Sequence, residues 1–283
     1  MINYKRCTIN DSDAMFVAFT KGFSDYIIKF DIDKEGFLKL FLHIEGNSYD
    51  DSWIALDDNI PVGIMLGGIK DYESVKTLRC GTLAVDPNYR KKGIAQELYN
   101  RHLQIGIEKG CKQLFLEVIK GNDSAIHFYK KQGYEIKHDI FYYQLKDLKN
   151  IDVHSSNDFI IKKITFADAK SFYINNDSSH INWQNDFDYQ KHVNNITYFG
   201  AYQNDVLIGV TGINQTGKIY FISVLEGFEL YEIGMQLLSY AMHTLSLGAF
   251  SMSLATNDKV IQFLETTGFV LQTLSQHEMY LNI

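Results

Sequence analysis

An internal repeat constrains this chain more than any other feature of its sequence. Lys5-Arg6-Cys7-Thr8 resembles Lys162-Lys163-Ile164-Thr165, and Ala55–Gly63 resembles Ala201–Gly209. Val85 corresponds to Val224, Asn122-Asp123 to Asn257-Asp258, and Gly133-Tyr134 to Gly268-Phe269. The landmarks keep their order while the offset falls through 157, 146, 139 and 135 residues. A repeat of that length is a whole domain plan used twice, and 283 residues suit two domains. The polar stretch Asn150–Asp158, centred on His154-Ser155-Ser156-Asn157, is the expected linker, giving domains 1–149 and 150–283.

Each copy alternates strand and helix signals. In the first, Ile2–Ile9 reads as a strand, Asn10-Asp11 as a helix start and Lys34–His43 as an amphipathic segment. Trp53–Leu56 and Val62–Ile69 flank Asp57-Asp58-Asn59 as a hairpin, and Lys76–Val85 is a strand stopped by Asp86-Pro87. Ile94, Leu98 and Ile105 share one face of a helix over residues 93–109, which Gly110 ends. Leu114–Val118 is a strand, Ser124–Gln132 a helix stopped by Gly133, and Tyr134–Leu145 a strand. The fold class is therefore α/β (α+β), with helices flanking a sheet in each copy.

Composition excludes several classes. Hydrophobic residues at 46% and charged residues at 22% are those of a globular chain. No apolar run approaches the roughly 18 residues of a membrane span. The opening MINYKRCTIND lacks a signal-peptide core, and Cys7, Cys80 and Cys111 cannot all pair, so a reducing, cytoplasmic setting is expected. A net charge of −7 argues against a nucleic-acid partner. That charge is uneven. Residues 1–150 carry 21 basic and 21 acidic side chains, whereas the remainder carries 6 and 13. No histidine shows metal-ligand spacing such as His-Glu-x-x-His, so no metal is expected.

The sharpest local signal is Val85-Asp86-Pro87-Asn88-Tyr89-Arg90-Lys91-Lys92-Gly93-Ile94-Ala95. A strand ends, and a loop with three cations enters a helix. Unpaired N–H groups and the helix dipole make such a terminus an anion site, and small residues at its mouth let the anion approach. It is neither a Walker loop nor Gly-x-Gly-x-x-Gly.

Arg90-Lys91-Lys92-Gly93-Ile94-Ala95 resembles the pyrophosphate loop (Arg/Gln-x-x-Gly-x-Gly/Ala) of the GNAT superfamily of N-acetyltransferases. Leu116-Glu117-Val118 followed by Asn122, Ala125, Phe128-Tyr129 and Gly133-Tyr134 resembles that family's second hallmark. The likeness covers about residues 2–145. It implies two tandem GNAT folds, each a mixed, mostly antiparallel sheet flanked by helices, with acetyl-CoA as cosubstrate. By position, Leu83, Ala84 and Val85 would offer backbone groups to the pantetheine arm. Arg90, Lys91, Lys92, Gly93, Ile94 and Ala95 would grip the pyrophosphate, with Gln96 nearby. Asn122, Ala125 and Phe128 would line the cleft, and Lys131 would reach the nucleotide phosphate. Tyr129 matches the family's general acid toward the CoA sulfur. Glu117 matches a carboxylate that serves some relatives as base, and burial in an apolar strand would raise its pKa toward that use. A water chain is the alternative to Glu117 as base, and Cys80 and the histidines are weaker candidates.

The acceptor is expected to be a small-molecule or peptide amine, bound near Phe23–Asp33 and Lys137–Tyr143; the sequence leaves its identity and the oligomeric state open. A non-catalytic acetyl-CoA-binding regulator, or transfer of another acyl group, is the alternative on the same fold. The second copy departs from the family pattern. Aligning Ile94 with Ile233 puts Glu229 at Arg90, Tyr231 at Lys92, Glu232 at Gly93 and Leu264 at Tyr129. No lysine or arginine occurs from Ile219 to Asp258, so that copy is expected to be degenerate. Its acidity, from Asp186, Asp188, Glu226, Glu229 and Glu232, would steer a cationic acceptor.

Overall fold

A computed structural model describes residues 1–151 and 158–283; the central residues of the expected linker, His154 to Asn157, lie outside the described residues. The chain forms two compact units. The first comprises Met1–Lys137 with His277–Ile283, and the second His138–Gln276. Residues 138–149 and 277–283 therefore group differently from a division at 149/150. Strand pairing is the reason, because hydrogen-bonded neighbours need not be neighbours along the chain.

In the first unit, β1 (Ile2–Arg6), β2 (Ser48–Asp57), β3 (Ile60–Tyr72) and β4 (Val75–Val85) form an antiparallel series. Asp58 and Asn59 turn β2 into β3 with φ of 45° and 71°, a left-handed pair that small polar residues tolerate. β5 (Gln113–Ile119) joins β4 in parallel, and the last strand of the chain lies beyond it. Helix α1 (Ser12–Gly22) and a short helix α2 (Lys34–Phe37), continued by a wider turn over Leu38–Ile44, cover one face. Helices α3 (Ile94–Glu108) and α4 (Asp123–Lys131) cover the other. Strand β6 (Glu135–Leu145) then leaves for the second unit, taking most of Lys137–Tyr143 with it.

The second unit repeats the plan. Its sheet runs β6, β11 (Phe250–Ala255), β10 (Lys218–Val224), β9 (Val206–Asn214), β8 (Ile196–Gln203) and β7 (Ile160–Ile164). Helix α5 (Phe166–Asn176) and the short α6 (Phe187–Gln190) pack on one face. Helices α7 (Leu230–Leu245) and α8 (Asp258–Thr267) pack on the other, and β12 (Val270–Asn282) closes the chain. The residues from 277 onward belong to the first unit, so each unit is finished by a strand that follows the other unit's last helix.

One pair of contacts fixes the correspondence. A Cβ on Gly63 would lie 3.2 Å from Ile94 Cγ2, and one on Gly209 would lie 2.7 Å from Ile233 Cγ2. Both helices thus press on a glycine of the strand beneath, at the register read from the sequence. Among the described residues no helix is long and apolar enough to cross a membrane.

His102 of α3 is fully buried, and both ring nitrogens lack hydrogen-bond partners among the described residues. Burial pushes its pKa down to about 3, although Asp51 pulls the other way. The unfolded chain then binds a proton near pH 6.5 that the folded chain refuses. This stability is intact above pH 6.5 and is lost as pH falls toward 3, by about 1.4 kcal/mol per pH unit. Urea unfolding between pH 6 and 4 should show that loss, and His102→Leu should flatten the slope by about one proton.

Candidate active site

Three features of the first unit converge where β4 and β5 part. The first is the ladder itself. β4 and β5 pair from Thr77/Gln113 to Cys80/Leu116, the last pair among the described residues. Yet β4 runs on to Val85 and β5 to Ile119. Leu83, Ala84 and Val85 keep their partners on β3, opposite Met65, Ile64 and Gly63. Past Cys80 they have no β5 partner among the described residues, although the Val85 carbonyl already accepts from Arg90.

The second is the mouth of α3. Gly93 is its N-cap, with φ of 81°, and Lys91 is also left-handed at 60°. A Cβ on Gly93 would meet nothing within 4 Å, so glycine is favoured by backbone conformation rather than by lack of space. Glu97 N–H returns to the Gly93 carbonyl at 3.0 Å, which leaves the amides of Ile94, Ala95 and Gln96 as first-turn donors. Lys91, Lys92 and Gly93 are exposed. Lys92 Nζ lies 4.5 Å from the centre of the Tyr89 ring.

Arg90 is tied elsewhere. Its guanidinium forms a two-pronged pair with Asp25, at 2.6 and 2.7 Å, and donates to the carbonyls of Gly22 and Val85 at 3.1 Å each. The side chain thus fastens the loop to the end of α1. Gln96 likewise exchanges amide hydrogen bonds with Gln132, at 3.1 and 2.8 Å, joining α3 to the end of α4.

The third is α4. Asn122 caps it, accepting from Ala125 N–H at 3.3 Å, and also meets Tyr26. Ala125 and Phe128 pack at the margin of the core, and Lys131 is exposed. Tyr129 is buried, with its hydroxyl 3.5 Å from Cys80 Sγ. Cys80 is the last paired residue of β4, so this hydroxyl stands where the strands separate. Burial, then the neighbouring Cys80, raises the Tyr129 pKa well above the ordinary phenol value. Burial lifts Cys80 to about 11. Both groups hold their protons at neutral pH.

Glu117 is not in this group. Leu114, Leu116 and Val118 point toward the core that holds Tyr129, so alternation sends Glu117 to the opposite face. There Arg79 clasps it at 2.6 and 3.1 Å and also pairs with Glu45. Glu278, fully buried, accepts from Tyr280 at 3.2 Å and lies near enough to act on Glu117. Burial raises Glu117 to about 7; Arg79 pulls the pKa down while Glu45 and Glu278 push it up. One arginine thus serves several carboxylates out of water, a balance set by tertiary placement. No spacing rule joins Arg79, Glu45 and Glu278, which lie far apart in the chain. Tyr26 falls inside Phe23–Asp33, the stretch expected near the acceptor.

Residues 16–134 match the model of the Acetyltransferase (GNAT) family. An acetyltransferase of Sodalis glossinidius (strain morsitans) is 34% identical over 76 residues, which are 27% of this chain and 51% of that protein. The chain thus spans about half the length of that curated relative. A tandem GNAT protein from the clavulanic acid biosynthesis pathway superposes with a TM-score of 0.70 at 12% identity, covering 100% of this chain and 98% of that one. A GCN5-related N-acetyltransferase from Sphaerobacter thermophilus gives 0.68 at 10% identity, with 99% and 95% covered. A glucosamine N-acetyltransferase region of a fungal β-N-acetylglucosaminidase gives 0.73 at 14% identity, with 99% and 38% covered. The fold is a tandem GNAT fold. Residues 16–134 are thus similar to the GNAT acetyltransferases.

Removing the arginine from the buried cluster leaves its carboxylates uncompensated. Arg79→Met should lower stability to urea at pH 7.5 by about 3–5 kcal/mol. The deficit should shrink at pH 5, where the stranded carboxyls can take protons.

Proposed function

We propose that the protein is an acetyl-CoA-dependent N-acetyltransferase that works by direct transfer in its first unit. The observation that carries this reading is the Tyr129 hydroxyl beside Cys80, where the β4–β5 ladder ends. The end of β4 beyond the β4–β5 ladder, at Leu83–Val85, suits the amide-bearing pantetheine arm, with the Val85 carbonyl already held by Arg90. The first-turn amides of α3, with Lys91 and Lys92, suit a pyrophosphate. Asn122, Ala125 and Phe128 border the arm. Lys131, on the exposed end of α4, suits the nucleotide phosphate. Arg90 acts by holding the loop to α1 rather than by touching the anion.

The chemistry needs two proton movements. An acceptor ammonium with a pKa near 10.4 must become neutral, which costs about 4.6 kcal/mol at pH 7. Its nitrogen lone pair then attacks the thioester carbonyl carbon. The tetrahedral intermediate collapses, the C–S bond breaks, and the sulfur leaves with the electron pair. Tyr129 donates its phenolic proton to that sulfur and is later reprotonated from solvent. Glu117 is the base. Burial raises its pKa to about 7, toward the range useful to a base, and its place on the other face of β5 requires water between it and the amine. The second unit has Leu264 where the first has Tyr129, and therefore no proton donor at that position.

Titration calorimetry should find one acetyl-CoA per chain; no binding, or two equal sites, would reject this reading. Gly93→Val should weaken acetyl-CoA binding at least tenfold, because a β-branched residue resists the left-handed cap. Tyr129→Phe should cut turnover about 100-fold or more with little change in acetyl-CoA affinity. Affinity without turnover on any amine of a broad panel would instead identify a regulatory acetyl-CoA sensor. If Glu117 is the base, kcat/KM should rise with pH through about 7 as the carboxyl loses its proton, and Glu117→Gln should abolish that limb.

A further inference from the structure

Arg79 holds Glu117 in an unusual way. Its Nε and Nη2 reach Glu117 at 3.1 and 2.6 Å, and both end on the same oxygen, Oε2. No hydrogen bond reaches Glu117 Oε1 among the described residues. An arginine free to turn prefers a fork, one N–H to each carboxylate oxygen, as Arg90 forms with Asp25. Arg79 does not form that fork with Glu117. Its Nη1 is taken by Glu45 instead.

A pinned backbone delivers Glu45 to that place. Glu45 follows the wide turn Leu38–Ile44, and its N–H returns to the Leu40 carbonyl at 2.8 Å. Gly46 turns the chain with φ of 73°, and Asn47 Nδ2 donates to the Phe41 carbonyl at 2.7 Å. The strands beneath admit this segment with glycines. A Cβ on Gly68 of β3 would collide with the Gly46 carbonyl, and one on Gly81 of β4 with the Asn47 side chain. Gly81 directly follows Cys80, the last paired residue of β4. The segment therefore crosses the sheet where the ladder ends and has little freedom to move.

The other groups around Glu117 are fixed as well. Glu278 of β12 accepts from the Tyr280 hydroxyl at 3.2 Å and from Tyr72 of β3 at 3.5 Å. Burial raises the pKa of both tyrosines, so they keep their protons near neutral pH. The charges that act on Glu117 are those of Arg79, Glu45 and Glu278.

We infer that Glu45 is a positioning residue for acyl transfer: by holding Nη1 of Arg79 it confines the guanidinium to Oε2 of Glu117 and keeps Oε1 open to take the acceptor's proton through water. This role rests on Glu117 as the base. The ammonium proton passes to a bridging water while that water passes one of its own to Oε1, leaving a neutral amine and a neutral carboxyl. Without Glu45 the guanidinium turns into the fork, and both oxygens of Glu117 are engaged.

Full-length wild type, Glu45→Gln, Glu45→Ala and Glu117→Gln are compared, with whichever of tyramine, spermidine and an alanine-initiated tripeptide reacts fastest as acceptor. Both Glu45 variants should lower kcat about tenfold and leave acetyl-CoA affinity unchanged. The limb of kcat/KM that rises with pH should move to lower pH by roughly 0.5–1 unit, because a like charge is gone and Arg79 turns wholly to Glu117. Carbon-13 spectra of the glutamate carboxyls should show the same shift in the signal that Glu117→Gln removes. Glu108→Gln, at the exposed end of α3, should change none of these. A merely structural Glu45 would cost stability and leave the limb and the carboxyl signal in place. The inference alone is overturned if Glu117→Gln abolishes the limb while both Glu45 variants keep the wild-type kcat and limb. If Glu117→Gln keeps the limb, or none of the acceptors reacts, Glu117 is not the base and the role of Glu45 falls with it.

Discussion

The organisation of the first unit follows from one interrupted ladder. Two parallel strands pair as far as Cys80/Leu116 and then stop, while both continue as strands. Backbone N–H and C=O groups beyond that point need partners, and leaving them unmade is expensive. An extended ligand with its own amides is the natural completion of such an edge. Close by in the chain are a glycine-capped helix start after β4 and an asparagine-capped helix after β5, whose Tyr129 hydroxyl lies 3.5 Å from Cys80 Sγ.

The second unit shows what the scaffold requires independently of chemistry. The close pressing of Ile94 on Gly63 recurs in Ile233 on Gly209. Asn122 caps α4 as Asn257 caps α8, each accepting a backbone N–H at 3.3 Å. Gly133 and Gly268 end those helices with φ of 97° and 95°. These positions are fixed by backbone geometry and packing. The side chains around the helix mouth and at Tyr129 are not, and there the units differ: Arg90 and Gly93 give way to Glu229 and Glu232, Lys92 to Tyr231, and Tyr129 to Leu264.

Local signals carried much of this. Asp58-Asn59 announces the β2–β3 turn, Gly110 and Gly133 end their helices, and the spacing of Ile94, Leu98 and Ile105 marks the buried face of α3. Each depends on residues a few positions apart, where backbone propensity and periodicity suffice. The glycine-capped start of α3 was legible for the same reason, because strand, loop and helix follow one another in the chain. Arg90 was legible as a cation near the loop but not as a clamp on Asp25, which lies 65 residues away.

The sequence by itself determined the repeat, the order of its elements, the cationic loop at one helix mouth and the carboxylates at the other. Those are properties of neighbouring residues, and neighbouring residues feel one another in any conformation. Only the tertiary structure decided which strands complete which unit, where the β4–β5 ladder stops, and that Glu117 shares Arg79 with Glu45 on the face of β5 away from Tyr129. Hydrogen-bond registers and buried charge balances join residues that are distant in the chain, so they come into existence only once the chain has folded.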